Sequence, residues 1–438
     1  MTTELLLGLD VGTTSSKAAV VTLDGEEVAH GQAPLMWTAV PTGAEIAPAG
    51  FLECALTAAR EALEAAPGDE VHIAGVGVSS MAETGVLLDR RGEPVTPAIA
   101  WHDSRGEQEA ERLAEELGRE RFAASTGLSP RALRTVAKYR WLRDHVEATQ
   151  RGVRWLGVGE WIVHGLGGEE GAELSLASRT GWLHLHRRAW WDEALEWSGA
   201  PGGLLPEPGA AGTPLGRVDG DVLPAARGAV LAVGGHDHLS AAVGAGAVGE
   251  GDVLDSWGTA EAFVRAVAPL SPEQVARAVE AEITVGWHAV PDRQNLLGAM
   301  RSGAALGRVL ALLGVTREGR DELERAALEC DAEAGGIELR GLNGYRVELV
   351  NIGADPSPAL VWRASLESAG RAASDILDRM ARVAGPRRHA LGPAARHDDA
   401  AVRAVKEAHV GPFERSEAIF MGARGAALTA GRAAGVVG

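Results

Sequence analysis

Two segments of the chain share an order of features that restricts the fold: an apolar strand, an aspartate, a Gly-Thr turn and a second apolar strand. The first segment runs from Leu5 to Val21 and the second from Val253 to Val267. Each apolar run has the length of a buried strand and is bounded by turn residues. A repeat at the start of each half predicts two like domains that face each other across a cleft.

The length of the chain also favours two domains. At 438 residues it exceeds what one hydrophobic core usually serves. The stretch from Pro201 to Pro224 is rich in Pro and Gly and is the best candidate for the boundary. We therefore expect domains at residues 1–228 and 229–438, and the 57 glycines suit a loop-rich α/β enzyme.

Charge and composition exclude several classes of partner. The formal net charge is -18, and such a surface repels nucleic acid and anionic membranes. No apolar run approaches the roughly 20 residues that span a bilayer, and no basic segment precedes the first strand. Cys54 and Cys330 have no metal-ligand spacing, which is typical of free thiols in a reducing compartment. We expect a soluble, cytoplasmic protein.

The first three apolar runs predict a meander of strands, because Asp24-Gly25 is a hairpin signal between the second and the third. A further hairpin is expected to join Val86 to Asp89 with Pro97 to Trp101. Periodicity and apolar runs predict the remaining elements. They are strands at Val71 to Val78 and Ala229 to Val233, and helices at Phe51 to Ala65, Glu107 to Glu147, Glu160 to Leu166, Leu366 to Val383 and Gly422 to Ala434.

The first Gly-Thr turn is a candidate anion site. A tight turn between strands points backbone N–H groups and hydroxyls into one concavity, which suits phosphate. The turn begins at Gly12 and offers the hydroxyls of Thr13, Thr14 and Ser15, with Lys17 adding a charge. An ordinary hairpin with polar turn residues remains the alternative, and the second turn, Gly258-Thr259, favours the phosphate interpretation.

Asp10 ends the first strand and faces the same turn. A carboxylate there can hold a hydrated magnesium ion that bridges nucleotide phosphates. The alternative is a simple turn or cap aspartate.

The run from Gly234 to His238 follows another buried strand. Its two glycines allow a sharp turn that exposes Asp237, and a carboxylate so placed can accept the proton of an attacking alcohol. A metal site made by His236, Asp237 and His238 is a rival, although residues one apart on a strand alternate faces. A helix cap is the third interpretation.

Two other segments combine carboxylates with apolar surface. Ala82 and Glu83 come directly after a buried strand, and Trp101, Asp103 and Arg105 follow the next one. Acceptors for hydroxyls beside a flat indole face suit a polyhydroxylated ligand. A surface ion pair between Asp103 and Arg105, with a core tryptophan, is the structural alternative.

Taken together in this order, the motifs resemble those of the FGGY carbohydrate kinases, a family that includes xylulokinases, gluconokinases and glycerol kinases. No single motif is decisive, but several in register along nearly the whole chain are specific. They are Gly8 to Lys17, Gly75 to Asp89, Trp101-x-Asp103-x-Arg105, Thr135 to Leu142, Leu176 to Gly181, Gly234 to Asp237, Asp255 to Thr259 and Gly422 to Ala427.

The resemblance implies an α/β protein with two ribonuclease-H-like (actin-like ATPase) domains around a central cleft. It implies ATP and Mg²⁺ as cofactors and phosphorylation of a hydroxyl on a small sugar, sugar acid or polyol, while a homodimer is left open. The first domain would carry the sugar site and the first phosphate loop, and the second the catalytic acid and the nucleotide. By position, the general base would be Asp237, the metal residue Asp10, the nucleotide residues Gly12, Thr13, Thr14, Ser15, Lys17, Gly258, Thr259, Gly303 and Gly392, and the substrate residues Ala82, Glu83, Trp101, Asp103, Arg105 and His238.

The chain also departs from the family pattern. Where the family has a run of glycines against adenosine, this chain has Pro393, which lacks an N–H, and Ala394. Glu83 resembles the glycerol kinases, but their neighbouring arginine is Ala82 here, and the Met-His of xylulokinases is absent. The altered segment motivates a second hypothesis, a catalytically weak sugar- or nucleotide-binding regulator. A metal-dependent hydrolase that uses residues 236–238 is a third.

Overall fold

The computed structural model describes residues 3–68, 71–257, 260–316, 318–330, 336–344, 346–392 and 400–438. Strands and helices both occur throughout the chain, as expected for an α/β protein. Within the described ranges, no helix has both the length and the apolar character needed to traverse a bilayer. The chain divides into two compact units, of which unit 1 is Met1–Glu250, Ala266–Asn295 and Ala418–Gly438, and unit 2 is Gly251–Arg265 and Leu296–Glu417.

The strands range from two residues to ten. In chain order they are β1 Thr3–Val11, β2 Ser15–Thr22, β3 Glu27–Pro34, β4 Thr38–Val40, β5 Gly43–Ile46, β6 Val71–Ser80, β7 Gly85–Leu88, β8 Ala98–Ile99, β9 Arg154–Gly157, β10 Ala172–Glu173, β11 Leu183–His184, β12 Ala189–Trp190, β13 Pro208–Gly209, β14 Pro214–Arg217, β15 Val230–His236, β16 Val253–Ser256, β17 Glu261–Val267, β18 Thr284–Trp287, β19 Gln294–Met300, β20 Glu338–Arg340, β21 Glu348–Val350, β22 Ala390–Gly392 and β23 Glu414–Arg415.

Helix is found in every predicted helical segment, but the one predicted at residues 107–147 is divided into three helices with a non-helical stretch at residues 127–134. The helices are α1 Ala49–Glu64, α2 Glu107–Glu116, α3 Arg119–Thr126, α4 Thr135–His145, α5 Val158–Gly165, α6 Leu174–Thr180, α7 Asp192–Ser198, α8 Asp237–Ala245, α9 Pro272–Glu280, α10 Ser302–Leu312, α11 Arg320–Glu329, α12 Pro358–Ala384, α13 Ala400–Val410 and α14 Met421–Ala433.

The first sheet has the strand order β14-β15-β6-β1-β2-β3. The predicted meander is confirmed, because β1 pairs with β2 and β2 with β3, both antiparallel. β6 lies parallel to β1, and β15 lies parallel to β6. Since parallel strands end at the same edge, the register brings Asp10 beside Ser79 and His236 beside Ser80. The carboxyl ends of three strands thus meet at one edge of unit 1.

Both faces of this sheet are covered, which explains why β1 reads as a continuous apolar run. Leu5 and Leu7 pack in a core cluster with Phe51 of α1. Leu6 points the other way, into a cluster with Ala423 of α14. Alternating side chains of one strand therefore serve two cores.

Helix α14 approaches the sheet closely because small residues line the contact. A Cβ added to Gly8 would lie 1.7 Å from the carbonyl oxygen of Ala423, and one added to Gly77 would lie 1.9 Å from that of Ala426. Neither position tolerates a side chain without moving the helix. The glycines of β1 and β6 therefore fix where the N-terminus of α14 lies relative to the ends of these strands.

The second sheet has the strand order β18-β19-β17-β16-β22-β23. β16 pairs antiparallel with β17 and parallel with β22, and β22 pairs parallel with β23. In the first sheet, β1 pairs in the same way with β2 and β6, and β6 with β15. The sequence repeat is thus matched by a repeat of strand order.

The predicted partner of the strand at residues 97–101 is wrong. β8 pairs with β5, and β7 pairs with β9. The chain after β7 does turn back on it, since an antiparallel bridge pairs Leu88 with Pro94, but this contact ends before residues 97–101. Pro94 and Pro97 lack an N–H and cannot extend a ladder along β7.

The compact units also differ from the expected division between residues 228 and 229. β14 and β15 flank that position, yet they pair with each other, and β15 pairs with β6 of the first sheet. Hydrogen bonds to a central strand keep residues 230–250 in unit 1, as the packing of α14 keeps the C-terminal segment there.

Candidate functional site

Asp10 lies near the end of β1, at the edge where the parallel strands of unit 1 stop. The Ser79 hydroxyl donates a hydrogen bond to its Oδ1 at 2.9 Å. Lys17 is its register partner on β2. A Cβ added to Gly422, at the start of α14, would lie 2.5 Å from Oδ2, so the helix leaves just enough room for the carboxylate.

The surroundings of Asp10 resist its ionisation. Burial, followed by the charge of Asp237, raises the pKa of this carboxyl to about 6, although Lys17, Ser79 and His238 act to lower it. Two carboxyls therefore interact at this edge. A cation bound to Asp10 would relieve both the burial and the repulsion.

Asp237 begins α8 directly after β15. The ladder between β15 and β6 shifts register between Val233 and Gly235, and Gly235 has a φ of +104°, a conformation that favours glycine. The sharp turn predicted from the two glycines is therefore confirmed. It leaves Asp237 in the first turn of a helix, where the helix dipole favours a carboxylate.

One oxygen of Asp237 is held and the other is not. Oδ1 accepts the backbone N–H of His238 at 2.7 Å and lies 3.1 Å from Nε2 of His236. Oδ2 has no hydrogen-bond partner among the described residues. Burial lowers the pKa of His236 well below its usual value, so its ring is neutral.

The first Gly-Thr turn is closed by a hydrogen bond from the Gly12 N–H to the Ser15 carbonyl. Two indoles hold its outer part: Trp101 Nε1 donates to the Thr13 hydroxyl at 2.9 Å, and Trp37 Nε1 donates to the Thr13 carbonyl at 2.7 Å. The indole N–H of Trp101 is thus directed at the turn. Sequence reasoning missed Trp37, which follows β3 at a position without a motif.

Asp103 is buried, and both of its oxygens accept hydrogen bonds from the protein. Oδ1 accepts from the N–H and Nε of Arg105, and Oδ2 accepts from Thr42, Ala44 and the same guanidinium. Arg105 also pairs with Glu45 at 2.9 Å. The ion pair is internal rather than on the surface. Both oxygens of Asp103 are already occupied by protein donors, so neither is available to a ligand.

Glu83 follows β6 in a left-handed conformation, with a φ of +63° that is uncommon outside glycine. Its Oε1 accepts from Arg134 at 2.8 Å and from Arg179 Nε at 3.0 Å, and its carbonyl accepts from the Thr135 hydroxyl. Arg179 also donates to Thr284 at 2.9 Å. Two arginines therefore share one carboxylate oxygen and fix a strained backbone.

The two arginines were not predicted as site residues. Arg134 is 2% exposed, and burial, followed by the charge of Arg179, lowers its pKa to about 9. A signal was available, because Arg134 immediately precedes the apolar face of α4, where a buried charge requires a partner. Nothing in the sequence names Glu83 as that partner.

A transition-metal centre finds no support in the described residues, where no group of three or more His, Cys, Asp and Glu could hold an ion. The chemistry of Mg²⁺ differs, since it keeps several waters and takes one or two protein carboxylates. Asp10 and Asp237 fit that requirement, because they are oxygen donors that interact at the edge of one sheet.

Two of the predicted nucleotide residues of the second half, Gly303 and Gly392, belong to unit 2. Gly303 lies in the first turn of α10, and Gly392 ends β22, where an added Cβ would lie 2.9 Å from the ring of Phe413. The predicted Gly258 and Thr259 lie outside the described residues. So do Pro393 and Ala394, on which the hypothesis of altered adenosine binding rests.

Comparisons with known proteins agree on one family. A model described as the N-terminal domain of the FGGY family of carbohydrate kinases matches residues 5–244. The xylulose kinase of Streptomyces rubiginosus is 34% identical over 318 residues, which cover 72% of this chain and 64% of that protein. The glycerol kinase of Thermus brockianus is 31% identical over 409 residues, which cover 87% and 79%. The chain thus spans just under two thirds of the length of the xylulose kinase it matches.

Solved structures show the same fold. The xylulose kinase from Rhodospirillum rubrum superposes with a TM-score of 0.88 at 24% identity, over 97% of this chain and 89% of that chain. The Plasmodium falciparum glycerol kinase with ADP gives a TM-score of 0.86 at 16% identity, over 100% and 91%. The expected α/β fold with two ribonuclease-H-like domains is confirmed. From the matched N-terminal half, the relatives and the fold together, the chain belongs to the FGGY family of carbohydrate kinases.

Proposed function

We propose that this chain transfers the γ-phosphoryl group of ATP to a hydroxyl of a small sugar, sugar acid or polyol, with Asp237 as the general base. One observation carries the proposal. Asp237 begins a helix at the strand edge of unit 1, where Oδ1 is held by the protein and Oδ2 has no hydrogen-bond partner in the part of the chain that the structure describes. The cytoplasmic location stays a prediction, and whether the chain forms a homodimer stays an open question.

The held oxygen orients the carboxylate for proton transfer. Neutral His236 and the N–H of His238 both contact Oδ1, which fixes the plane of the carboxylate. Oδ2 then accepts the proton of the acceptor hydroxyl as the hydroxyl oxygen attacks phosphorus. A base in this role contributes about 10²–10⁴-fold to the rate.

Magnesium would be held by Asp10, with Asp237 nearby. When bound, the ion neutralises phosphate charge and orients the oxygens of the transferred group. The turn from Gly12 to Ser15 offers N–H and hydroxyl donors for the phosphates, and Lys17 adds a positive charge. Gly258, Thr259, Gly303 and Gly392 complete the proposed nucleotide set.

The acceptor would lie between Asp237 and Glu83, beside Ala82 and His238. Arg179 pairs with Glu83, and its charge also lowers the pKa of His236, the residue before Asp237. This guanidinium therefore acts on both sides of the proposed acceptor site. Oε1 of Glu83 is occupied by the two arginines, which leaves Oε2 to accept a substrate hydroxyl. Trp101 and Asp103 would contribute indirectly, because their hydrogen bonds hold the neighbouring turns in place.

A screen for acceptor-dependent ADP release tests the proposal. Mg·ATP is supplied with ketopentoses, aldonates, glycerol and erythritol, and release above the rate without acceptor supports a kinase. The variant Asp237→Asn is expected to lower kcat about 10²–10⁴-fold. Its affinity for Mg·ATP, measured by isothermal titration, should change little, because this residue acts on the hydroxyl.

Asp221→Asn is the matched control, because it makes the same change at a carboxylate whose side chain is 92% exposed. It should turn over at the wild-type rate. Near-normal turnover by Asp237→Asn would refute the assignment of the base. Release of ADP with none of the acceptors would refute the kinase.

A further inference from the structure

A chain of hydrogen bonds leads from buried Glu173 to the peptide that precedes Asp237. The Ser175 hydroxyl donates to Oε2 of Glu173 at 2.6 Å and accepts the backbone N–H of His236 at 2.9 Å. Both side chains are buried, with Glu173 3% exposed and Ser175 1% exposed. The contact reaches the turn between β15 and α8, which no sequence motif connects to α6.

This hydroxyl meets the backbone where β15 turns. A Cβ added to Gly235 would lie 2.7 Å from the Ser175 Oγ, so the close approach itself requires glycine. The β15–β6 ladder ends at His236, which precedes the first residue of α8. Without the hydroxyl, the N–H of His236 would be left without an acceptor in a buried place.

Glu173 holds the hydroxyl in turn. Its carboxylate caps α6, accepting from the backbone N–H groups of Ser175 and Leu176 at 2.9 Å each. Its own N–H donates to Glu160 at 2.9 Å. Because Glu173 supplies the cap, the Ser175 hydroxyl is not needed to start α6, and its removal affects the β15–α8 turn selectively.

We propose that Ser175, oriented by Glu173, is a positioning residue for Asp237: it fixes the His236 peptide and so the direction of the catalytic carboxylate. The inference rests on the proposed kinase function. Misplacement of a reacting group by about 1 Å can cost about 10²-fold in rate without loss of binding. The expected signature is therefore a fall in kcat at nearly constant KM.

The test compares three variants by ADP release at pH 8. Ser175→Ala removes the hydroxyl and should lower kcat about 10–100-fold, with KM values for ATP and acceptor within about twofold of wild type. Ser175→Thr keeps a hydroxyl and should recover most of kcat. Ser178→Ala is the matched control, because Ser178 is a buried serine of the same helix that contacts Leu174 and Trp287 instead; it should stay within about threefold.

Two outcomes would overturn the inference: kcat of Ser175→Ala within about twofold of wild type, or an equal fall in Ser178→Ala. If Ser175→Ala does not fold, Ser175→Cys replaces it, since a thiol fills the space but accepts hydrogen bonds weakly; unchanged kcat would then overturn the inference.

Amide hydrogen exchange separates this inference from the proposed activity. If wild type releases no ADP with any acceptor, the kinase fails, but exchange across residues 234–237 can still be measured. Ser175→Ala should speed exchange there at least about tenfold, while Ser178→Ala should not. Equal exchange in the two variants would overturn the inference whatever the activity.

Discussion

The two strand–turn–strand repeats share their local pattern and differ in their electrostatics. Asp10 on β1 interacts with a second carboxylate, that of Asp237, and its pKa is raised to about 6 by burial and by that charge. Asp255, its counterpart on β16, is neutralised within unit 2. Lys406 Nζ lies 2.8 Å from its Oδ2.

The second repeat is a closed charge cluster. Lys406 also contacts Glu261, which accepts the hydroxyl of Ser302, and the ammonium lies 4.3 Å from the ring centroid of Trp257. The cation that neutralises these carboxylates is part of the chain. At the first repeat, no cationic side chain of the described residues lies in salt-bridge contact with Asp10, which is why Asp10 rather than Asp255 is the candidate magnesium residue of the two.

The largest expected effect comes from removing the internal cation. Lys406→Met leaves two buried carboxylates beside each other and should lower the free energy of unfolding of unit 2 by about 3–5 kcal/mol. Lys17→Met, its counterpart at the first repeat, should cost much less, because Lys17 is half-buried and no carboxylate of the described ranges lies in salt-bridge contact with it. Denaturant unfolding of both variants at pH 8 measures the difference. Equal losses would break the comparison.

A second prediction compares the replacement of each aspartate by asparagine. Asp10→Asn should lower kcat by about 100-fold, because a neutral amide holds magnesium poorly. Its stability should not fall, since the variant removes a carboxylate whose ionisation is disfavoured by burial. Asp255→Asn should instead lower stability by about 1–3 kcal/mol, because Lys406 loses a charged partner. Activity assays and thermal unfolding on both variants sharpen the contrast, and a stability loss in Asp10→Asn alone would contradict it.

The smallest expected effect is a dependence of stability on pH. Burial, followed by the charge of Asp255, raises the pKa of Glu261 to about 7. The folded state therefore binds a proton that the unfolded state has released, so this stabilisation is complete below about pH 4.5 and is lost as pH rises through 7. Between pH 5 and 8 the loss should be about 1–3 kcal/mol.

Glu261→Gln isolates this contribution from those of Glu160 and Glu173, whose pKa values burial also raises to about 7. The amide can still accept from Lys406, so the variant should fold. Its free energy of unfolding, followed by denaturant titration from pH 5 to 8, should decline less steeply than that of wild type. Parallel curves would show that Glu261 is ionised throughout.

Much of the fold followed from short-range patterns. The apolar runs around Leu7 and Val76 became central strands, since period and length suffice to identify a strand buried on both faces. The pairing of β8 with β5 was not predictable. Pro97 lacks an N–H and so disfavours pairing with β7, but it does not indicate which other strand β8 pairs with. Short-range patterns also do not indicate that residues 418–438 belong to unit 1, because these residues come from the far end of the chain.

In the candidate site, too, residues marked by short-range patterns were predicted, and contacts between distant parts of the chain were not. Asp10 and Asp237 stand at strand ends, and a strand end next to glycine is visible in the sequence. The partners of Glu83 were not visible, because Arg134 and Arg179 lie 51 and 96 residues away. The motif from Leu176 to Gly181 contains Arg179 but does not indicate which residue it contacts. Ser175 was hidden in the same way, 61 residues from the peptide it contacts.

The sequence by itself determined that each half contains an apolar strand that bears an aspartate, followed by a Gly-Thr pair and a second apolar strand. Hydrogen-bonded turns and apolar periodicity act over a few residues, so local composition decides them. Which aspartate would be neutralised was decided only by the tertiary structure. Lys406 reaches Asp255 from 151 residues away, whereas Asp10 gains a serine hydroxyl and a second carboxylate. Charges interact according to distance in space, which the order of residues along the chain does not specify.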